Sequence, residues 1–176
     1  VKWQFRHRFW KVNADQFSEP AAGALRVSWH VRMGDIALDN NNVDYFKNVF
    51  AELKRLALSI GVFVNIDFIF ECVSCGTKMP RDFAIINHEC ANATATSLAC
   101  FFNGALDTHR AMKMMIFSDV LITSGSSFSE VAALYHRGLV LMRASKDGVV
   151  NAYTKTDDFR IANNGEFEAF DEIRAR

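Results

Sequence analysis

The sequence predicts an α/β domain, a doubly wound, Rossmann-like parallel sheet, and three observations carry that reading. Short apolar runs rich in β-branched and aromatic residues alternate with longer segments of helical periodicity. The strands are near-continuously apolar, as strands covered on both faces must be. Only two prolines interrupt a chain of 176 residues that is 50% hydrophobic, enough for a single core without metal or disulfide staples. Right-handed crossovers then favour the strand order 3-2-1-4-5, with the first and fourth strands as neighbours.

Each element has its own justification. In residues 1–22, Trp3, Phe5, Phe9 and Trp10 are interleaved with Lys2, Arg6, Arg8 and Lys11, which predicts an N-terminal amphipathic helix docked by its apolar face. Pro20 and Gly23 punctuate the way into the first strand, Leu25–Val31, where the main domain of residues 23–150 begins. From Val43 the apolar spacing turns helical, through Tyr45, Phe46, Val49, Phe50, Leu53, Leu56 and Leu58, and Gly61 closes the helix as a C-cap. Val62–Phe70 is the second strand. Pro80 opens a short helix to Ile86, Leu98–Phe102 is the third strand, and Asp107–Phe117 is a helix. Asp119–Thr123 is a short buried strand. A helix over Ser127–His136 follows, its capping box read as Ser127 with Glu130, and Gly138–Met142 is the fifth strand. Residues 151–176 form a polar C-terminal tail, with a terminal helix over Asn164–Ile173.

Charge and motifs exclude several functions. Twenty basic and twenty acidic side chains leave no net charge, which removes the electrostatic footprint of a nucleic-acid or anionic-membrane binder. No apolar run is long enough for a transmembrane helix. No G-x-G-x-x-G follows the first strand and no G-x(4)-G-K-[ST] occurs, which argues against dinucleotide oxidoreductases and P-loop nucleotidases. The chain opens on Val1 without a charged-then-apolar leader, so a processed or excised piece of a longer protein is expected.

Cys72, Cys75, Cys90 and Cys100 cluster with His88, and three readings compete. Zinc accepts thiolates and imidazole, although the second half of the set lacks a regular zinc spacing. Disulfides would place the chain in the secretory pathway, and free thiols are the default. Asn92-Ala93-Thr94 is a glycosylation sequon that matters only in that pathway. Location stays open between the secretory pathway or Golgi lumen of a eukaryote and a bacterial cytoplasm.

The chemistry belongs at the carboxyl ends of the first and fourth strands, where strand order reverses. The first strand runs out into His30-Val31-Arg32-Met33-Gly34-Asp35, the fourth into Thr123-Ser124-Gly125-Ser126-Ser127-Phe128. A Ser-Gly-Ser-Ser turn into a helix offers backbone N–H groups, hydroxyls and a positive helix end to an anion. Arg32 alternates with His30 and brings a guanidinium fork suited to phosphate. Together they describe a diphosphate cradle. The structural alternatives are that Ser126 and Ser127 cap a helix and that Arg32 pairs with Asp35.

His30-Val31-Arg32-Met33-Gly34-Asp35 resembles the H-x-R-x-G-D motif of GDP-fucose-dependent fucosyltransferases of the α-1,2, α-1,6 and protein-O-fucosyl type. Asn103–His109 and Ser118–Ser129 are similar to that superfamily's second donor-binding region, and the resemblance spans residues 24–143. It implies one half, the C-terminal donor-binding half, of a two-Rossmann GT-B glycosyltransferase that inverts the fucosyl carbon without a metal cofactor. The GDP-sugar is its donor substrate, and its acceptor, glycan or protein, is not identified. The resemblance implies that Arg32 binds the β-phosphate and steadies the departing GDP. It implies further that His30 and Gly34 line the donor pocket and that Ser124, Ser126, Ser127 and Phe128 hold the diphosphate and nucleotide wall. Asp107 and His109 lie toward guanine or ribose, with helix capping as their alternative. Asp35 is the nearest carboxylate for the catalytic base. Met33 stands where the motif often has a second basic residue, and the resemblance implies a partner N-terminal domain that this sequence does not supply. A non-catalytic nucleotide-binding module and an interaction domain with a zinc-holding cysteine loop are the alternatives.

Overall fold

The computed structural model describes residues 2–13, 24–33, 42–72, 81–93, 98–104, 106–124, 126–143, 159–161 and Phe167. For Arg32, Met33 and Cys72 only the backbone is described; Gly34, Asp35, Cys75 and Gly125 lie outside the described residues. The elements are α1 (Lys2–Asn13), β1 (Ala24–Met33), α2 (Asn42–Ile60), β2 (Phe63–Cys72), α3 (Arg81–Ala93), β3 (Leu98–Asn103), α4 (Thr108–Phe117), β4 (Val120–Thr123), α5 (Ser127–Tyr135), β5 (Leu139–Arg143) and β6 (Phe159–Ile161). All five neighbouring strand pairs are parallel, in the order β3-β2-β1-β4-β5-β6. The chain thus builds outward from β1 through β2 to β3, then crosses back by α4 to start β4 on the other side of β1. That reversal is the one the sequence predicts.

Strand periodicity sorts the core into two layers. Val27, Trp29 and Val31 of β1, Val64, Ile66 and Phe68 of β2, and Val120 and Ile122 of β4 form one cluster with Phe46, Val49, Phe50 and Leu53 of α2 and Ile86 of α3. Trp29 lies at its centre, 5.2 Å from Phe68 and 5.5 Å from Phe46 between ring centroids. Ile69, Leu121 and Val140 point the other way, onto Ala111, Met115 and Ile116 of α4 and Ala132 and Ala133 of α5. α1 covers this second layer. Its Trp10 stacks edge-on against Phe117 at 5.2 Å and donates from Nε1 to the Tyr135 carbonyl at 2.7 Å.

Several local details depart from the sequence reading. Gly61 does end α2, at a φ of 67° that glycine adopts without steric cost, and the N–H groups of Gly61 and Val62 both return to the Ala57 carbonyl. α3, however, runs to Ala93 rather than stopping at Ile86, held by Ile86 and Cys90 against the core. The tail contributes a sixth strand, β6, paired with β5 through Leu141 and Phe159. Three residues are too few to show a period, so only the neighbouring strand reveals it. Phe167, inside the expected terminal helix, is a buried bridge residue; the rest of that segment lies outside the described residues.

Cys90 of α3 is disulfide-bonded to Cys100 of β3, with Cα atoms 5.9 Å apart. The default of free thiols is therefore corrected at this pair, and Cys90 has no thiolate to offer zinc. His88 meets Asn92 at 3.0 Å. Among the described residues no group of three His, Cys, Asp or Glu side chains could hold a metal ion, and no helix is long and apolar enough to cross a membrane.

Candidate functional site at the strand-order reversal

β1 and β4 are hydrogen-bonded neighbours, with Val27 opposite Val120 and Trp29 opposite Ile122. Their carboxyl ends therefore emerge side by side, and the residues that follow β4 open α5. His30 Nδ1 lies 2.8 Å from Ser124 Oγ, a direct link between β1 and the β4–α5 turn across 94 residues of sequence. The His30 ring is fully buried and packs 5.7 Å from Phe128. The ring thus contacts both Ser124 and Phe128 at the β4–α5 turn.

Ser126, not Ser127, is the N-cap of α5. Its φ and ψ are extended, its Oγ accepts from the Phe128 N–H at 3.3 Å, and its carbonyl accepts both the Glu130 N–H and the Ser129 hydroxyl, each at 3.0 Å. The residue three beyond this cap is Ser129, so the Ser127–Glu130 capping box does not form. The shift follows from where β4 stops: Thr123 is its last paired residue. Ser127 is exposed at the first helical position, where helix geometry leaves backbone N–H groups pointing outward. The turn is thus braced by His30 below and capped by Ser126 within, with Ser127 on its outer side.

Arg32 and Met33 end β1, their backbones paired with Glu71 and Cys72 of β2. Asp107 and His109 follow β3, which β2 separates from β1. Asp107 is the N-cap of α4: its carboxylate accepts the Arg110 N–H at 2.9 Å, and that bond, with help from His109, holds the carboxyl below the usual range. Asp107 thus caps α4, and His109 is exposed in the first turn.

Sequence reasoning missed a second set of polar residues at the opposite end of the sheet. Asp119 receives the Arg26 N–H on Oδ2 at 2.8 Å, gives its own N–H to the Arg26 carbonyl at 3.0 Å, and accepts the Leu139 N–H at 2.9 Å. One residue therefore ties the starts of β1, β4 and β5. His136, fully buried, bonds through Nδ1 to the Met115 carbonyl at 2.9 Å. Nearby, an open groove of ≈ 520 Å³ is lined by Arg26, Ser28, Asp67, Lys113, Met114, Phe117 and Ser118. It lies against the early half of β1 and the late half of α4, so strand direction sets it apart from the carboxyl ends of β1 and β4. No composition signal marks these residues, because their roles arise from contacts between distant segments.

No protein-family model matches the chain, and no curated protein matches it. Solved structures do. A trehalose-6-phosphate synthase, studied with bisubstrate glycomimetics for glycosyl transfer with retention, superposes with a TM-score of 0.50 at 16% identity, over 94% of this chain and 40% of that one. A UDP-forming α,α-trehalose-phosphate synthase from Burkholderia xenovorans gives 0.51 at 11% identity, over 75% of this chain and 34% of that one. This is the fold of one half of a GT-B glycosyltransferase. The chain spans well under half the length of these GT-B enzymes. They are trehalose-phosphate synthases rather than fucosyltransferases, so the GT-B expectation stands on the fold and fucosyl specificity rests on the motif alone.

Proposed function

We propose that this chain is the nucleotide-sugar donor-binding half of a GT-B-like glycosyltransferase. The observation that carries the proposal is the His30–Ser124 link, which joins the end of β1 to the capped start of α5 at the strand-order reversal. In the proposed mode the diphosphate lies over the α5 N-terminus, where outward backbone N–H groups and the Ser127 hydroxyl favour negative charge. Arg32 supplies the guanidinium for the β-phosphate, stabilising charge as the nucleotide leaves. On the strength of His30-Val31-Arg32-Met33-Gly34-Asp35 the donor is a GDP-sugar, GDP-fucose first. Asp35 is the candidate base in an inverting transfer.

Calorimetric titration with GDP, UDP and ADP tests the reading. Saturable GDP binding, weakened by about 1.5–3 kcal/mol in Arg32→Ala as for a lost charge-assisted hydrogen bond, supports the donor site and the guanine preference. Preference for UDP would keep the donor site and discard GDP-fucose. No binding by a folded chain would remove the proposal. A second reading is binding of the nucleotide sugar without transfer. Incubation with labelled GDP-fucose separates the two: sugar transfer or slow hydrolysis marks an enzyme, and the anomeric configuration of the product reports inversion or retention.

A further inference from the structure

We propose that Asn92 carries an N-linked glycan, and that this chain therefore matures in the oxidising lumen of the secretory pathway. Asn92-Ala93-Thr94 meets the acceptor pattern, with no proline at the middle position. Such a pattern arises often by chance, so the structure has to supply the rest. Asn92 is the penultimate residue of α3 and is exposed, its Nδ2 lying 3.0 Å from the Nε2 of an equally exposed His88. The acceptor nitrogen thus stands at the surface, where a bulky modification meets water and not the core. Thr94 lies outside the described residues.

The second observation is independent of the tripeptide. The sequon falls between Cys90 and Cys100, which are joined as a disulfide with Cys90 buried against the core. Disulfides form and persist in oxidising compartments, and N-glycosylation of this sequon occurs in secreted proteins. One compartment therefore accounts for both features within the same short segment.

Topology places the glycan where it does no harm to the proposed donor site. Leu98, the first residue of β3, pairs with Val64 near the start of β2, so α3 delivers the chain to the amino-terminal end of the sheet. Asn92 lies in the last turn of α3, at that end. The crevice between β1 and β4 opens at the other.

In the modification, Nδ2 of Asn92 attacks the anomeric carbon of a lipid-diphosphate-linked oligosaccharide supplied by the secretory machinery. A C–N bond forms, the C–O bond to the diphosphate breaks, the lipid diphosphate leaves with the bonding pair, and one amide proton passes to a base of the transferring enzyme.

The test is expression of the full natural chain in eukaryotic cells with no added leader, followed by amidase digestion and peptide mass analysis. We expect a mobility shift that amidase removes, leaving aspartate in place of the asparagine. The shift should be lost completely in Asn92→Gln and Thr94→Ala and kept in Thr94→Ser, with the Cys90–Cys100 linked peptide in the same molecules. A chain that enters the lumen, as its disulfide reports, yet stays unmodified at Asn92 overturns the proposal. So does a chain that remains in the cytosol with reduced thiols. Because glycan transfer precedes folding, failure of a variant to fold leaves the readout intact, and nucleotide binding plays no part in it.

Discussion

At the scale of single residues, Gly138 and Asp67 show how position, not type, sets the consequence of a change. A Cβ on Gly138 would collide with the Asp119 carbonyl oxygen and come within 2.8 Å of its carbon, with His136 Nε2 at 3.0 Å. Neither neighbour can yield freely, since Asp119 ties three strands and His136 is bonded to Met115. Gly138→Ala should cost about 1–3 kcal/mol, the usual range for overpacking, read as a lower urea midpoint at unchanged slope. Asp67 behaves differently. Burial pushes its carboxyl above the usual range, partly offset by the 3.1 Å bond from Asn103 Nδ2 and by the charge of Arg26. The native state then holds the proton more tightly than the unfolded chain. Its stabilisation is complete below the unfolded carboxyl's pKa and is lost as pH rises through the raised, folded one. Asp67→Asn, which keeps an acceptor for Asn103, should abolish that loss, so its stability relative to the parent should grow as pH rises through the carboxylate range. Urea midpoints measured from acid to neutral pH check this, and a variant weaker at neutral pH would show that Arg26 needs the charge.

At the scale of elements, α1 is the clearest case of a helix whose place is decided by one side chain. Trp10 is buried, meets Phe9 and Phe117 edge-on, donates to Tyr135, and lies under the Arg137 guanidinium at 5.2 Å. Removing the indole leaves the apolar faces of α4 and α5 short of cover. Trp10→Ala should lose about 3–5 kcal/mol, within the range for large aromatic truncations, and should speed proteolysis within residues 2–13. Unchanged cleavage there would mean that Phe9, 5.0 Å from Tyr135, is sufficient to dock the helix. The elements also explain which boundaries were legible. Gly61 was readable as a stop because only its φ matters. α5 starts at Ser127 as the sequence predicts, but its cap is Ser126 rather than Ser127, because a run of serines offers equal caps and the end of β4 chooses among them.

For the whole molecule, the relevant quantity is how the reversal of strand order joins distant segments into one site. His30 and Ser124 are 94 residues apart and 2.8 Å apart in space. If that site holds nucleotide, binding couples to the stability of the entire sheet. GDP at about a hundred times its Kd should then stabilise the folded chain by about 2.7 kcal/mol, visible as a rise in Tm that Arg32→Ala abolishes. A melting temperature indifferent to GDP and UDP alike would count against a donor site in this chain.

Alternation of apolar strands with amphipathic helices is local and periodic, and so the α/β class, the five main strands, the order 3-2-1-4-5 and the reversal that makes β1 and β4 neighbours were all readable from the sequence alone. The nearness of His30 to the serines after β4 was readable for the same reason, since strand ends follow from strand positions. The pairing of Cys90 with Cys100, the full burial of His30, the cap at Ser126, the strand β6 and the junction at Asp119 were decided only by the tertiary structure. Each depends on how closely two segments approach in space, a distance that periodicity along one chain does not encode.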